Sequence, residues 1–465
     1  MKIREALSEL LGERYVAEAS GGVDLGPVVH GERLHGGSGP VSLLAKPANT
    51  AEVVEVLKLA ARFRWPVVPV GGRTGTVGGT ETPTPSVLLS LERMNRIEEI
   101  DCAAMTVTAE AGVGLQTLQE AVESQGLVLP VDIGARGSAT VGGVVSTNAG
   151  GLRAIRWGVT RDNVLGIEAV LADGTVIDGL RKLLKDNAGY DWKHLMIGSE
   201  GTLGIVTRAI FKLQQRSAPP ATALLACSDF TSALALLRRL SAETGGRLTS
   251  FELSWREVYD LVAHSPDWNH RAPLAAGYPF YALVEIDGGD AMLGEVETIL
   301  ERLMADGLVV DGVLARSSRD CDDIWATRDD MSPLGRLGPI FAYDVSVPID
   351  LMGELAERVA RGVAEELPRA RLFTFGHAGD GNLHFVIAPG HGRAGDASVA
   401  DHVVFRETGA LRGSISAEHG VGLHRLAALP YTRTPEELAL MRTLKSALDP
   451  EGLLNPGKVV PPVAS

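Results

Sequence analysis

Pro66-Val67-Val68-Pro69-Val70-Gly71-Gly72-Arg73-Thr74-Gly75-Thr76-Val77-Gly78-Gly79 is the stretch on which the fold turns: a short apolar strand runs straight into a glycine-rich loop. Upstream, Val53, Val54, Val56, Leu57 and Ala60 recur at helical spacing over residues 48–65, with Asn49 or Thr50 as the N-cap. Downstream, residues 86–91 and 104–110 read as strands and 114–124 as a helix. A second stretch rich in Gly, Ser, Thr and Asn follows at 131–151, then strands at 164–171 and 205–213. Backbone N–H groups in glycine turns form concave anion sites, and glycine tolerates the positive φ and close approach that a pyrophosphate needs. Two such loops, one holding Arg73, imply a large phosphorylated cofactor. A nicotinamide-type G-x-G-x-x-G is not met, because Gly112-Val113-Gly114-Leu115-Gln116-Thr117 breaks the pattern at its last position. Nor is a Walker loop present: after the near match at 452–458, Val459 stands where the metal-binding hydroxyl belongs.

At 465 residues the chain is long enough for two domains or more, and with 45% hydrophobic residues it can build their cores. A formal net charge of −14 argues against nucleic acid or an anionic membrane as a general partner, so an anionic substrate needs its own local cation. Cys102, Cys227 and Cys321 are far apart, odd in number and outside any C-x-x-C pattern, which points to a reducing compartment and no cysteine-based metal site. The first dozen residues show a helical pattern without an apolar signal core, and nowhere do about 18 apolar residues run together. A cytoplasmic protein without an integral membrane segment is the expectation.

Residues 214–220 (Gln-Gln-Arg-Ser-Ala-Pro-Pro) look like a domain boundary. Beyond it, helices at 231–244, 290–305 and 351–366 separate apolar strands at 223–227, 281–285, 342–347, 372–375 and 383–387, and a last helix spans 434–449: an α+β texture. Here lie Gly376-His377-Ala378-Gly379-Asp380-Gly381-Asn382-Leu383-His384 and Ser416-Ala417-Glu418-His419-Gly420. The first reads as two strands joined by a tight turn, setting His377 beside His384, with Asp380 and Asn382 shaping the turn. Neutral imidazoles so placed, with a carboxylate completing the set, make a mixed N/O site for a divalent metal; zinc suits it, as do manganese, iron and cobalt. That leaves His419 as a basic imidazole beside the metal. His391, His402 and His424 fit no part of the pattern and are expected at the surface.

Residues 71–79, 131–151 and Gly198-Ser199-Glu200-Gly201-Thr202-Leu203-Gly204-Ile205-Val206-Thr207 resemble the FAD-binding domain of the vanillyl-alcohol oxidase (p-cresol methylhydroxylase-type) superfamily. The histidine segments and the ending Asn455-Pro456-Gly457-Lys458 resemble its FAD-linked oxidase C-terminal branch, which contains D-lactate and D-2-hydroxyglutarate dehydrogenases and the glycolate oxidase flavin subunit. The resemblance implies an α+β protein: an N-terminal helical segment over 1–35, a two-subdomain FAD-binding domain over 36–215, a cap domain with a mainly antiparallel sheet over 216–410, and a C-terminal segment over 411–465 that brings Glu418 and His419 back to the flavin. It implies FAD lined by Gly71, Gly72, Arg73, Thr74 and Gly75 and by Gly142, Gly143, Ser146, Thr147, Asn148 and Ala149. Glu200, Gly204 and Ile205 would lie near adenine and ribose, and Val70, Pro130, Gly137, Ser138, Thr140 and Asn455 would also touch the cofactor. The first loop holds no His or Cys, so FAD is expected without a covalent link.

The same resemblance assigns His377, His384 and Glu418 as metal ligands and His419 as catalytic base, with oxidation of a 2-hydroxy acid to the 2-oxo acid. Arg328 matches the substrate-carboxylate arginine, whose fork suits a carboxylate; Ser332 stands where dicarboxylate-specific relatives carry Thr. Those relatives also carry Lys and Asn at the positions of Ala342 and Val386. Residues two apart on a strand share a face, so Val386 should point into the pocket with His384. Burying a second substrate charge unpaired is costly, so a D-2-hydroxy monocarboxylate with an apolar tail is expected, with D-2-hydroxyglutarate or glycolate chemistry as alternatives. A non-catalytic flavin or metal protein is disfavoured, because a structural site has no use for the spare base. The electron acceptor could be electron-transfer flavoprotein, quinone or cytochrome, and a homodimer is compatible with the sequence.

Overall fold

Strand Val67–Val70 pairs in parallel with Val87–Ser90, which continues through Ser42–Ala45 to Val16–Ala19 in a four-stranded sheet. The computed structural model describes residues 2–19, 41–82, 85–266, 268–390 and 395–461. Helix Thr50–Phe63 lies on this sheet, and Asn49 caps it by accepting from Glu52 N at 2.9 Å. Its Val53, Val56, Leu57 and Ala60 share a core with Val67, Val87 and Leu89. The N-terminal segment, expected to be helical, is so over Ile3–Leu11 but turns to strand at Val16–Ala19; residues 20–35 lie outside the described residues, as does His391.

The second sheet is antiparallel, in the order Ile97–Asp101, Thr106–Glu110, Ile205–Lys212, Val164–Val170, Val176–Asp178. Helices Leu115–Glu123 and Val141–Thr147 pack on it. The second was expected to be loop. Thr140 caps it by accepting from Gly143 N at 3.3 Å, and Val141, Val144 and Val145, spaced along one face, are buried. Their burial outweighs the poor helix propensity of two glycines.

The third sheet has seven strands, all antiparallel, in the order Asp311–Leu314, Ala221–Cys227, Phe280–Ile286, Leu248–Trp255, Arg371–His377, Asn382–Ala388, Phe341–Ser346. Helices Phe230–Glu243, Asp290–Ala305, Met352–Glu366 and Asp396–Ala410 contribute Leu236, Val296, Leu355 and Val403 to the core that covers one face, against Leu253, Tyr343 and Phe385. Strand alternation sends Glu252, Asp344, His377 and His384 to the opposite face.

That face meets the N-terminal half through residues 150–157. Arg153 reaches Asp132 at 2.7 Å and Glu285 at 3.2 Å, and Arg156 reaches Asp287 at 3.1 Å. The approach is close: a Cβ on Gly379, in the histidine turn, would lie 2.4 Å from Ile155 Cδ1. After helix Pro435–Leu448 the chain returns to the first sheet, where Val67 donates to Leu453 and Asn455 to Val67, both at 2.8 Å. Among the described residues no helix is long and apolar enough to cross a membrane.

A Cβ on Gly72 would lie 1.8 Å from the Ser138 carbonyl oxygen, which no side-chain adjustment relieves. Gly72→Ala is therefore expected to cost about 1–3 kcal/mol or more, read as a lower urea midpoint, with loss of flavin from the purified protein.

Candidate active site

A cavity of about 730 Å³ opens between the two glycine loops, the 198–206 segment and the C-terminal loop. It is lined by Val70, Gly71, Gly72, Arg73, Thr74, Gly75, Thr140, Gly142, Gly143, Ser146, Thr147, Ala149, Glu200, Gly204, Ile205 and Asn455, and also by Glu418 and His419. The loops leave no room for side chains between them. A Cβ on Gly71 would meet Thr140 Oγ1 at 2.7 Å and one on Gly142 would meet Ala111 Cβ at 2.8 Å. Main chain rather than side chain therefore faces much of the cavity, the surface a flavin dinucleotide requires.

Four expected lining residues lie elsewhere. Pro130 borders a smaller cleft with Asp132 and Arg136. Gly137 and Ser138 are exposed and do not line the cavity, and Asn148, at φ 51°, ends the helix while its Oδ1 accepts from Arg161 N. Conversely Thr76, Val77, Gly79, Ile133, Gly134 and Ala135 line the cavity, neighbours of the glycine motifs that a strict motif match passes over. Glu200 accepts from the backbone N–H of Val421 at 2.7 Å and Gly422 at 3.0 Å. Asn455 donates to carbonyls of Gly79 and Glu200, so these two residues tie the cavity walls together.

Next to Glu418 stand both histidines of the turn. His377 Nε2 is 3.5 Å from Glu418 Oε1, and the His377 and His384 rings lie 5.3 Å apart at 83°. Ligand atoms of all three fall within 4.8 Å of one another. Bonds of about 2.0–2.2 Å to a common ion allow its donors to lie at most about 4.4 Å apart, so this N/N/O set is of the right chemistry for a divalent cation and would close slightly around one. The His419 ring lies 6.3 Å from that of His384 and lines the flavin-sized cavity.

Two buried carboxylates that the sequence did not single out hold this arrangement. Asp344 Oδ2 accepts from the backbone N–H of Ala417, Glu418 and His419 at 3.2, 2.8 and 2.9 Å, and its Oδ1 accepts from Asn382 Nδ2 at 2.7 Å. It also faces Nδ1 of His419 at 3.7 Å and of His384 at 3.9 Å. Burial works to raise its pKa, but the two imidazoles and the backbone donors hold it down to about 2. Glu252 accepts His377 Nδ1 at 2.7 Å and Arg328 Nε at 2.9 Å. Burial opposes its ionisation too, and His377 and Arg328 overcome this, leaving it at about 2. Burial would lower His377, yet Glu252 lifts it to about 9; burial drives His384, against the opposing pull of Asp344, well below its ordinary value, so that ring is neutral. Burial raises Glu418. The available signal for Glu252 was a carboxylate among Ser250 and Ser254, alternating with Phe251 and Leu253.

Arg328 pairs with neither Asp329 nor Asp330 but with Glu252, and its Nη2 lies 3.3 Å from His377 Nε2. Ala342 and Val386 are cross-strand partners two residues along from the pair Asp344 and His384. Val386 does share the face of His384, but it is packed among Val258, Val262, Leu334 and Phe373 and does not line the cavity. Ser332 is exposed, its N–H on Asp330, and likewise does not line it. Exposed His402 and His424 pair with Tyr431 and Glu81.

A family profile described as FAD linked oxidases, C-terminal domain, matches residues 217–459, and one described as FAD binding domain matches 40–179. The chain belongs to the FAD-linked oxidases and is a flavin-dependent oxidoreductase. It is 38% identical to the mitochondrial D-2-hydroxyglutarate dehydrogenase of Arabidopsis thaliana over 97% of this chain and 80% of that protein. Identity is 38% to the D-2-hydroxyglutarate dehydrogenase of Xanthomonas citri pv. viticola, covering 90% and 88%. It is 34% to a putative mitochondrial D-lactate dehydrogenase of Schizosaccharomyces pombe, covering 91% and 82%. In fold it matches 4-ethylphenol oxidase from Gulosibacter chungangensis (TM-score 0.75, 18% identity, covering 99% and 97%). It also matches p-cresol methylhydroxylase with substrate bound (TM-score 0.74, 14% identity, covering 98% and 96%). The superfamily and fold expected from the glycine motifs are thus the ones found.

The Glu252–His377 pair sets a pH window in metal-free protein. The Glu252 contribution is complete above its ordinary 4.5 and lost as pH falls toward about 2. That of His377 is complete below its ordinary 6.5 and lost as pH rises through about 9. The melting-temperature advantage of the wild type over His377→Gln should therefore be greatest between those ordinary values and shrink toward alkaline pH, measured by thermal unfolding after chelator dialysis.

Proposed function

We propose that this FAD-dependent 2-hydroxyacid dehydrogenase holds a divalent cation, zinc foremost, at His377, His384 and Glu418. Its substrate in this reading is a D-2-hydroxy monocarboxylate with an apolar tail, such as lactate, a longer 2-hydroxyalkanoate or a mandelate-like acid, oxidised to the 2-oxo acid. The observation that carries it is the position of Glu418 and His419 on the wall of the glycine-loop cavity, with both turn histidines directly behind them. When bound, flavin supplies the hydride acceptor and the cation eases loss of a hydroxyl proton.

The protein's own groups do the rest. His419 presents one side of its ring to Asp344, leaving Nε2 for the substrate hydroxyl proton as general base. Arg328, held at Nε by Glu252, offers its Nη edge to the C1 carboxylate. Glu252, Asp344 and Glu418 place three buried carboxylates around Arg328 and the imidazoles, so a bound cation would favour an anionic substrate here. Ala342 and Val386, cross-strand partners on the His384 face with Val386 packed over Phe373 and Leu334, put apolar groups where dicarboxylate-specific relatives are expected to carry Lys and Asn, which supports an apolar tail. The names of the relatives favour a second reading, D-2-hydroxyglutarate. FAD is taken to be held non-covalently and reoxidised by electron-transfer flavoprotein, quinone or a cytochrome. Three unpaired cysteines support a cytoplasmic setting, although several relatives are named mitochondrial.

Anaerobic flavin bleaching should be fastest with D-lactate, D-2-hydroxybutyrate or D-mandelate; a faster D-2-hydroxyglutarate or D-malate would exclude the monocarboxylate preference. His419→Gln should keep its FAD and reduce it about 10²–10⁴-fold more slowly, scored by stopped-flow absorbance. Chelator-treated protein should not bleach until zinc or manganese is restored. Full reduction without metal would rule out the metal-assisted step.

A further inference from the structure

Glu252 faces His377 directly across two neighbouring strands, and its side chain is 2% exposed. Each carboxylate oxygen has its own hydrogen-bond donor. Oε1 takes His377 Nδ1 at 2.7 Å and also a hydrogen bond from Ser250 Oγ at 3.3 Å, while Oε2 takes Arg328 Nε at 2.9 Å. Pinning Nδ1 leaves Nε2 as the ring nitrogen available to a metal, and pinning Nε leaves the Nη edge available to a carboxylate. Those two free ends address one spot: Arg328 Nη2 is 3.3 Å from His377 Nε2.

Resting on the functional reading above, in which His377 is a ligand and Arg328 a carboxylate binder, we propose that Glu252 is a shared positioning residue that couples cation affinity to substrate-carboxylate affinity. A glutamine cannot substitute for it. Arginine only donates, so it would keep the amide oxygen, and the amide NH2 would face His377 Nδ1. The imidazole would then carry its proton on Nε2, where the cation needs a lone pair. That N–H would point at Arg328 Nη2, donor against donor, and push the guanidinium off its post. One change therefore harms both binding events.

The test uses full-length, FAD-loaded protein stripped of metal, with two readouts that need no turnover: zinc chloride titrated by calorimetry, and 2-oxobutyrate titrated into zinc-saturated oxidised protein by flavin difference spectra. In Glu252→Gln, zinc affinity should fall about 10–100-fold and 2-oxobutyrate affinity should fall with it, while FAD content is retained. If Glu252→Gln does not fold, Arg328→Met serves instead: removing the cation beside Nε2 should tighten zinc binding about fivefold or more in substrate-free protein. Wild-type protein that takes up no zinc would overturn the underlying reading and this inference together. Wild-type uptake with either titration unchanged in Glu252→Gln, or with zinc affinity unchanged in Arg328→Met, would overturn the coupling alone.

Discussion

One buried carboxylate organises the site. Asp344 lies in the cap sheet, yet three of its hydrogen-bond donors are consecutive backbone N–H groups of the C-terminal loop, Ala417 to His419. Hydrogen bonds to a charged group are worth about 1.5–3 kcal/mol each, enough together to offset much of the desolvation of one carboxylate. The same group faces both His384 and His419. It therefore joins the strand pair that carries one imidazole to the loop that carries the other and Glu418, and it turns that loop toward the flavin-sized cavity.

Around it, charge is arranged for a purpose other than stability. The histidine-bearing face of the sheet buries Glu252, Asp344 and Glu418 within a few ångströms of one another's partners, an expensive arrangement in low dielectric unless cations answer it. Glu252 is answered by His377 and Arg328, and Asp344 by two imidazoles and the backbone. Glu418 has His377 at 3.5 Å, with His419 and Arg328 also acting on it, yet burial raises its pKa.

The two halves of the chain meet at this charged face. Arg153 and Arg156 of the flavin half pair with Glu285 and Asp287 of the cap sheet, and Ile155 fits against Gly379 of the histidine turn. Gly150 completes the contact, since a Cβ there would meet Glu418 Oε1 at 3.3 Å. Gly150, at the end of the second glycine stretch, thus lets Glu418 sit on the cavity wall.

Much of this was legible in the amino-acid order because the signals are local. Strand-to-glycine-loop transitions, helix caps such as Asn49 and the histidine pair across a tight turn each depend on a few neighbouring residues, and the antiparallel cap and the fold family followed from them. Helix Val141–Thr147 was not legible, because its glycines and threonines read as loop and only burial of one valine face makes it a helix. Nor were the roles of Asp344 and Glu252. Each becomes a partner of an imidazole through strand register, Asp344 opposite His384 and Glu252 opposite His377, between segments about 40 and 125 residues apart. The residue order by itself supplied the donors and the loops; tertiary pairing alone settled which buried carboxylate stands behind which ring, since register across a sheet is a property of the assembled fold and not of any one strand.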